Sequence, residues 1–255
     1  MIKTVRIFFW VVVVSAALLQ LWQEYEVLQW RHPLKVALYP VNADGSATSA
    51  AYIASLRAED FEQLAAFFSR EAAKYQLPLR RPITFYLGPE IHQVPPAPPA
   101  VSAPLHEIIL WSLQFRWFGW RHQPEVGVPL DIKLYLLYHD PARQRHLRHS
   151  TALHKGRLGR VNLFAENSQH SVNAVIVAHE LLHTLSATDK YDLNTHQPQF
   201  PQGYAEPYAQ PLYPQSMAEL MAGQIPQSAQ TSRMAKSLDE VVIGRPTARE
   251  IGWLH

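Results

Sequence analysis

The alternation of apolar and polar positions divides the chain into short strands and a few amphipathic helices. Residues 34–39 (LKVALY) and 131–138 (DIKLYLLY) repeat with a period of two and predict strands. The shorter runs 83–87 (ITFYL), closed by Gly88 and Pro89, and 161–164 (VNLF) predict two more. Between 39 and 83, Phe61, Leu64, Ala65, Phe68, Ala72 and Tyr75 recur at helical spacing, with Ser55 and Asp60 as candidate caps and Pro78 as the stop. A β-α-β opening favours a sheet with parallel neighbours. Residues 105–122 (LHEIILWSLQFRWFGWRH) read as a core helix, or as an interfacial helix with Trp111, Trp117 and Trp120 at the level of a bilayer. The tail 247–255 reads as a short closing helix. The expected class is α+β with a mixed, twisted sheet.

Composition narrows the possibilities. Hydrophobic residues make up 47% and charged residues 17%, which excludes a solvated disordered chain. Lys plus Arg (23) nearly balances Asp plus Glu (21), so net charge offers no case for nucleic acid as a partner. Cysteine is absent, which removes disulfide scaffolds, thiolate metal sites and cysteine nucleophiles. Thirteen histidines leave imidazole as the main ligating side chain.

At the N-terminus, Lys3 and Arg6 precede an apolar run over 7–22 (IFFWVVVVSAALLQLW). The pattern predicts an uncleaved signal anchor over 1–30, a single-pass helix in an inner membrane, with Trp22, Tyr25 and Trp30 at its outer interface. Residues 31–255 then form one domain facing the periplasm or exterior, with a proline-rich spacer, VPPAPPAVSAP, over 94–104. The stretch 143–160 carries Arg143, Arg145, Arg148, Lys155, Arg157 and Arg160. It reads as a solvated hairpin or as a surface for anionic lipid or substrate.

The sharpest chemical signal is HELLH over 179–183. A helix predicted from about Ser171 sets Val175, Ala178, Leu182 and Leu185 on a core face. His179 and His183, four apart, project from a neighbouring face one turn from each other, the spacing that lets two imidazoles share one zinc ion per chain. Glu180, beside the first ligand, is the candidate general base that takes a proton from water. A catalytic zinc takes three protein ligands. Two candidates for the third stand open, Asp189, six residues after His183, and Glu219, in the later segment SMAELMAG over 216–223.

HELLHTLSATD over 179–189 resembles the metzincin pattern HExxHxxGxxH, in the snapalysin-like variant with Asp as the last ligand. The resemblance covers about 45 residues, 179–223. It implies a zincin-like domain in which a left-handed glycine ends the helix and swings the third ligand, here Asp189, to the metal. Ser186 stands at the glycine position, where positive φ costs a serine of order 1 kcal/mol. The resemblance also implies a methionine turn beneath the zinc, for which Met221, followed by Ala222 and Gly223, is the best match. An edge strand before the helix would align an extended peptide.

Between Asp192 and Gln215 lies a segment with five prolines and three tyrosines, expected to wall the cleft. Tyr204, Tyr208 and Tyr213 are candidates to donate to an oxyanion, Tyr191 to orient the ligand, and His196 to replace Asp189. The expectation is a membrane-anchored zinc endopeptidase acting on a peptide or protein. The rival readings are a zincin-like binding module of the cell envelope and a zinc hydrolase of a non-peptide amide.

Overall fold

The computed structural model describes residues 2–100 and 102–254; Met1, Val101 within the proline-rich spacer, and His255 lie outside the described residues. In chain order, helix α1 (Ile2–Val27) leads to strand β1 (Leu34–Asn42), helix α2 (Ala47–Ser55), a single 3-10 turn (Ala58–Phe61) and helix α3 (Glu62–Lys74). Strand β2 (Ile83–Leu87), helix α4 (Leu105–Arg121), strands β3 (Ile132–His139), β4 (Thr151–Leu153) and β5 (Leu158–Phe164), and helix α5 (His170–His183) follow. The C-terminal region holds β6 (Ala218–Glu219), β7 (Gln224–Pro226), β8 (Ser232–Met234), β9 (Val241–Val242) and α6 (Arg245–Glu250).

The five-stranded sheet has the order β2-β1-β3-β5-β4. Its neighbours are parallel except β4, which runs antiparallel to β5 at one edge. The parallel strands are covered on both faces, so β1 and β3 are almost wholly buried. On one face, Val36, Leu38, Leu134, Leu136, Val161 and Leu163 pack against α3 and α5. On the other, Ala37, Tyr39, Tyr135, Leu137 and Leu158 pack against Trp111, Phe115 and Phe118 of α4. Helix α4 is thus a core helix on one side only, since Leu105, Ile109, Leu113, Trp117 and Trp120 remain exposed. The proline-rich spacer is fastened to it, with the Trp111 indole donating to the Pro96 carbonyl at 3.0 Å.

The expected strands and the mixed α+β class are present, with 161–164 extended backwards to Leu158. Helix α2 and edge strand β4 were not predicted. Ser55 is the last residue of α2 rather than a cap; Ser46 caps that helix, its side chain accepting from the Ser49 amide at 3.0 Å.

The anchor expected over 1–30, and with it the single-pass inner-membrane location, is overturned. Among the described residues no helix is long and apolar enough to cross a membrane. Helix α1 has 26 residues. Its apolar run, however, spans only 7–22, includes Gln20 and is followed by Glu24 and Glu26, short of the roughly 20 apolar residues a span needs. The end of α1 belongs to the domain instead. Val27 and Leu28 pack on the core. Trp30, expected at a bilayer interface, is 2% exposed. Its ring meets Trp253 edge-on at 5.6 Å, and its indole donates to the Ile251 carbonyl at 2.6 Å.

Two outcomes are expected. Trp30→Ala should lower the unfolding free energy by about 3–5 kcal/mol, the cost of emptying a buried aromatic site; a loss under ~1 kcal/mol in urea titration would put Trp30 outside the core. The second concerns Asp44, which receives the Asp140 amide at 2.7 Å and ties the C-terminal ends of β1 and β3. Burial pushes its pKa up, but the Asp140 and Ser46 amides and the Ser46 and Ser49 hydroxyls outweigh this and lower it to about 2. The folded value lies below the unfolded one of roughly 3.9. Its stabilisation is therefore complete above that value and lost as pH falls towards 2. The gap in urea midpoint between wild type and Asp44→Asn should be present at pH 7 and shrink by pH 2.5; a gap independent of pH would contradict this.

Candidate metal centre

The approach of β5 to α5 is set by one side chain. Asn173 donates to the Phe164 carbonyl at 2.9 Å and accepts from the Phe164 amide at 3.4 Å, clamping the end of the strand to the helix. Val175, Ala178, Leu181, Leu182 and Leu185 are buried on the sheet, as the periodicity predicts. This rotation turns His179 and His183 outward from the core.

The helix ends in a left-handed turn at Ser186, whose φ is 76°. The Ala187 amide donates to the Leu182 carbonyl at 3.0 Å and the Ser186 amide to the His183 carbonyl at 3.3 Å, the pair of bonds that usually places glycine here. Serine is held in this conformation by its own hydroxyl, which pairs with His154 Nε2 at 2.7 Å on the turn between β4 and β5. The turn reverses the chain and brings Asp189 back over the helix.

Two imidazole nitrogens and a carboxylate oxygen then converge. His179 Nε2 and His183 Nε2 are 3.0 Å apart, and Asp189 Oδ1 is 3.2 Å from each. Ligands at 2.0–2.1 Å from a tetrahedral zinc stand roughly 3.3–3.4 Å from one another, so this triangle is close to one face of such a site. Each histidine is oriented by its other nitrogen. His179 Nδ1 bonds the Leu220 carbonyl at 3.0 Å and His183 Nδ1 the Ala187 carbonyl at 2.8 Å. With Nδ1 as donor, both Nε2 lone pairs face inward. Asp189 Oδ1 is buried with no hydrogen-bond partner. Three acceptors facing one another call for a positive charge among them. For His179 burial opposes that charge, yet Asp189, Glu180 and the Leu220 carbonyl outweigh it and push the pKa up to about 9. Asp189 is driven well below the usual carboxylate range; burial works against this, and the two histidines prevail. His179, Glu180 and His183 form a group that could hold a metal ion.

Glu180 is 6% exposed, and its Oε2 is buried without a partner. Burial raises its pKa, while His179 and His183 pull the other way. Tyr191 lies beside these carboxyl groups, and its hydroxyl is pushed up to about 12 by burial and then by the charges of Asp189 and Glu180. An apolar pocket of about 200 Å³ opens next to His179, lined by Val175, Ile176, Tyr191, Leu220 and Met234.

The other expected residues divide clearly. Met221 is fully buried, and a tight turn closes over it, with the Ala222 and Gly223 amides both donating to the Glu219 carbonyl at 3.0 Å. Gly223 takes the φ of 71° that the turn needs. The contact of this turn with the centre is the Leu220 carbonyl on His179. Glu219, the rival third ligand, is spent inside the core. Its carboxylate accepts from the Met221 amide at 2.6 Å, the Gly244 amide at 3.1 Å and the Thr247 hydroxyl at 2.6 Å. Lys190, the nearest competitor for Asp189, is instead paired with Glu250 at 2.7 Å. Tyr204 and Tyr213 bond each other through their hydroxyls at 2.8 Å, and Tyr208 is 90% exposed. His196 lies outside the ligand group and stacks between Tyr191 and His149, at 5.8 and 6.2 Å. Two residues escaped the sequence reading, His154 behind Ser186 and His149 at the cleft. Only the density of histidines in the basic stretch signalled them.

No family model and no curated protein matches the chain.

The division between ligand and scaffold has a direct consequence. Glu219→Ala strips three buried donors of their acceptor and should cost ~3 kcal/mol or more in urea unfolding of the metal-free chain. Unfolding of Glu219→Ala at the wild-type midpoint would show that the carboxylate is free to serve elsewhere.

Proposed function

We propose that the chain is a zinc-dependent peptidase, with His179, His183 and Asp189 holding the metal and Glu180 as general base. The observation that carries this reading is the inward triangle of two Nε2 atoms and one carboxylate oxygen, 3.0–3.2 Å on a side, beside Glu180, whose Oε2 is buried without a hydrogen-bond partner. The ligand set, two imidazoles and a carboxylate, suits zinc. When bound, zinc supplies Lewis acidity, polarising a carbonyl and making water acidic.

The remaining steps fall to the protein. Glu180 takes a proton from the attacking water and returns it to the departing amine nitrogen. Burial raises its pKa, which strengthens it as the acceptor of that proton. Tyr191, held neutral by burial and then by the adjacent carboxylates, is a donor for the oxygen on which charge develops. Edge strand β4 offers an unpaired backbone flank for an extended peptide. The pocket beside His179 accepts an apolar side chain of that peptide.

The test uses the full chain. Wild type should retain about one zinc and cleave a mixed peptide library in a manner abolished by chelation and restored by zinc. Asp189→Ala should lose the metal. Glu180→Gln should keep the metal while hydrolysis falls by roughly 10²–10⁴. Hydrolysis by Glu180→Gln at the wild-type rate would remove Glu180 from the mechanism. A zinc-loaded wild type that cleaves no peptide would favour the binding module or the non-peptide amide.

A further inference from the structure

A second charged site lies on the opposite face of the sheet. Along β5, Val161 and Leu163 face α5, whereas Leu158 belongs to the α4 side. Arg160, two residues beyond Leu158 and paired in register with Tyr135, lies on that α4 side as well. It is 6% exposed. A buried guanidinium ordinarily meets a carboxylate. This one forms no ion pair among the described residues. Its Nη1 reaches only Asn162 Oδ1, at 3.4 Å, and its Nε is buried without any partner. The nearby Arg148 adds a second positive charge, and burial together with that charge lowers the Arg160 pKa.

Both arginines line one cavity of about 440 Å³. His149 completes its polar end. Pro98, Ile108 and Trp111, from the proline-rich spacer and α4, form an apolar wall. The proline-rich spacer is held in place there by the Trp111–Pro96 bond. The cavity thus pairs two cations that form no ion pair among the described residues with greasy surface of ligand size.

We propose that this cavity binds an anionic amphiphile, an oxyanion head of carboxylate or phosphate type on an aliphatic body. The head lies between Arg160 and Arg148, and the body lies along Ile108, Trp111 and Pro98. The oxyanion supplies the two acceptor oxygens that a guanidinium fork takes. Arg148 and His149 are exposed on their loop, which gives the ligand its way in. The inference is independent of zinc and of hydrolysis.

The test measures thermal unfolding of the full chain, with chelator present, against octanoate, octyl phosphate, inorganic phosphate and octan-1-ol. Octanoate or octyl phosphate, at a hundred times its dissociation constant, should raise Tm by about 5–10 °C. Whichever of the two binds tighter identifies a fatty-acid-like or a lipid-phosphate-like head. Inorganic phosphate should act more weakly, and octan-1-ol should not act. Arg148→Gln, in an exposed loop, should weaken binding at least tenfold, and Arg160→Met should abolish it while remaining folded by circular dichroism. If Arg160→Met fails to fold, Arg148→Gln decides. No shift with either amphiphile, equal shifts in wild type and Arg148→Gln, or octan-1-ol matching octanoate would each overturn the proposal.

Discussion

Two imidazole lone pairs and a carboxylate oxygen crowded to 3.0–3.2 Å repel one another unless a cation lies among them. Much of the local architecture serves to hold that arrangement. The sheet fixes the rotation of α5, the Asn173 clamp fixes its start, and the left-handed turn at Ser186 fixes its end. Two carbonyls, of Leu220 and Ala187, then remove the rotational freedom of the histidines. Each element contributes only a conventional interaction, but all must be in place before the three atoms meet. The convergence is thus a property of the whole domain, and HELLH supplies only its first two members.

Serine at the turn illustrates how such a site tolerates a locally unfavourable residue. A left-handed backbone at Ser186 costs of order 1 kcal/mol relative to glycine. The Cβ that creates this penalty also carries the hydroxyl that bonds to His154, a contact glycine would lack. The turn is thereby tied to the β4–β5 hairpin, so the wall of the cleft and the end of the ligand helix form one unit. A substitution judged against a motif alone looks like damage; in its surroundings it exchanges backbone freedom for a tertiary contact.

The sequence was readable where a pattern repeats and opaque where a single distant contact decides. Period-two runs located β1 and β3, a short apolar run closed by Gly88 and Pro89 located β2, and the 3.6-residue period set the core face of α5. The basic stretch hid β4, because three residues are too few to show a period. Trp30 was misread because a tryptophan after an apolar run has the same local signature at a bilayer and at a domain edge; its partner is Trp253, at the other end of the chain. Spacing favoured Asp189 as third ligand, with Glu219 as the rival carboxylate. Gly244 and Thr247, which occupy Glu219, lie far along the chain, and no spacing rule reaches them. The Leu220 carbonyl on His179 is a backbone atom and leaves no mark on residue type.

Buried charge separates scaffold from site across the molecule. Glu71, fully buried, receives Lys74 Nζ at 2.8 Å and the Ile243 amide at 3.1 Å. Lys190 has Glu250, and Glu219 has three donors. These groups are neutralised or hydrogen-bonded by the fold itself, and their work is complete once the chain has folded. Glu180 and Arg160 differ, since each retains a buried atom without a partner. One stands beside His179 and His183 on the α5 side of the sheet, the other lines a cavity on the α4 side. A fold able to satisfy Glu71, Glu219 and Lys190 so fully has the means to neutralise two more charges. That it leaves these two incomplete, Glu180 in a group that could hold a metal ion and Arg160 on a cavity of ligand size, is the physical reason to propose partners from outside the chain for both.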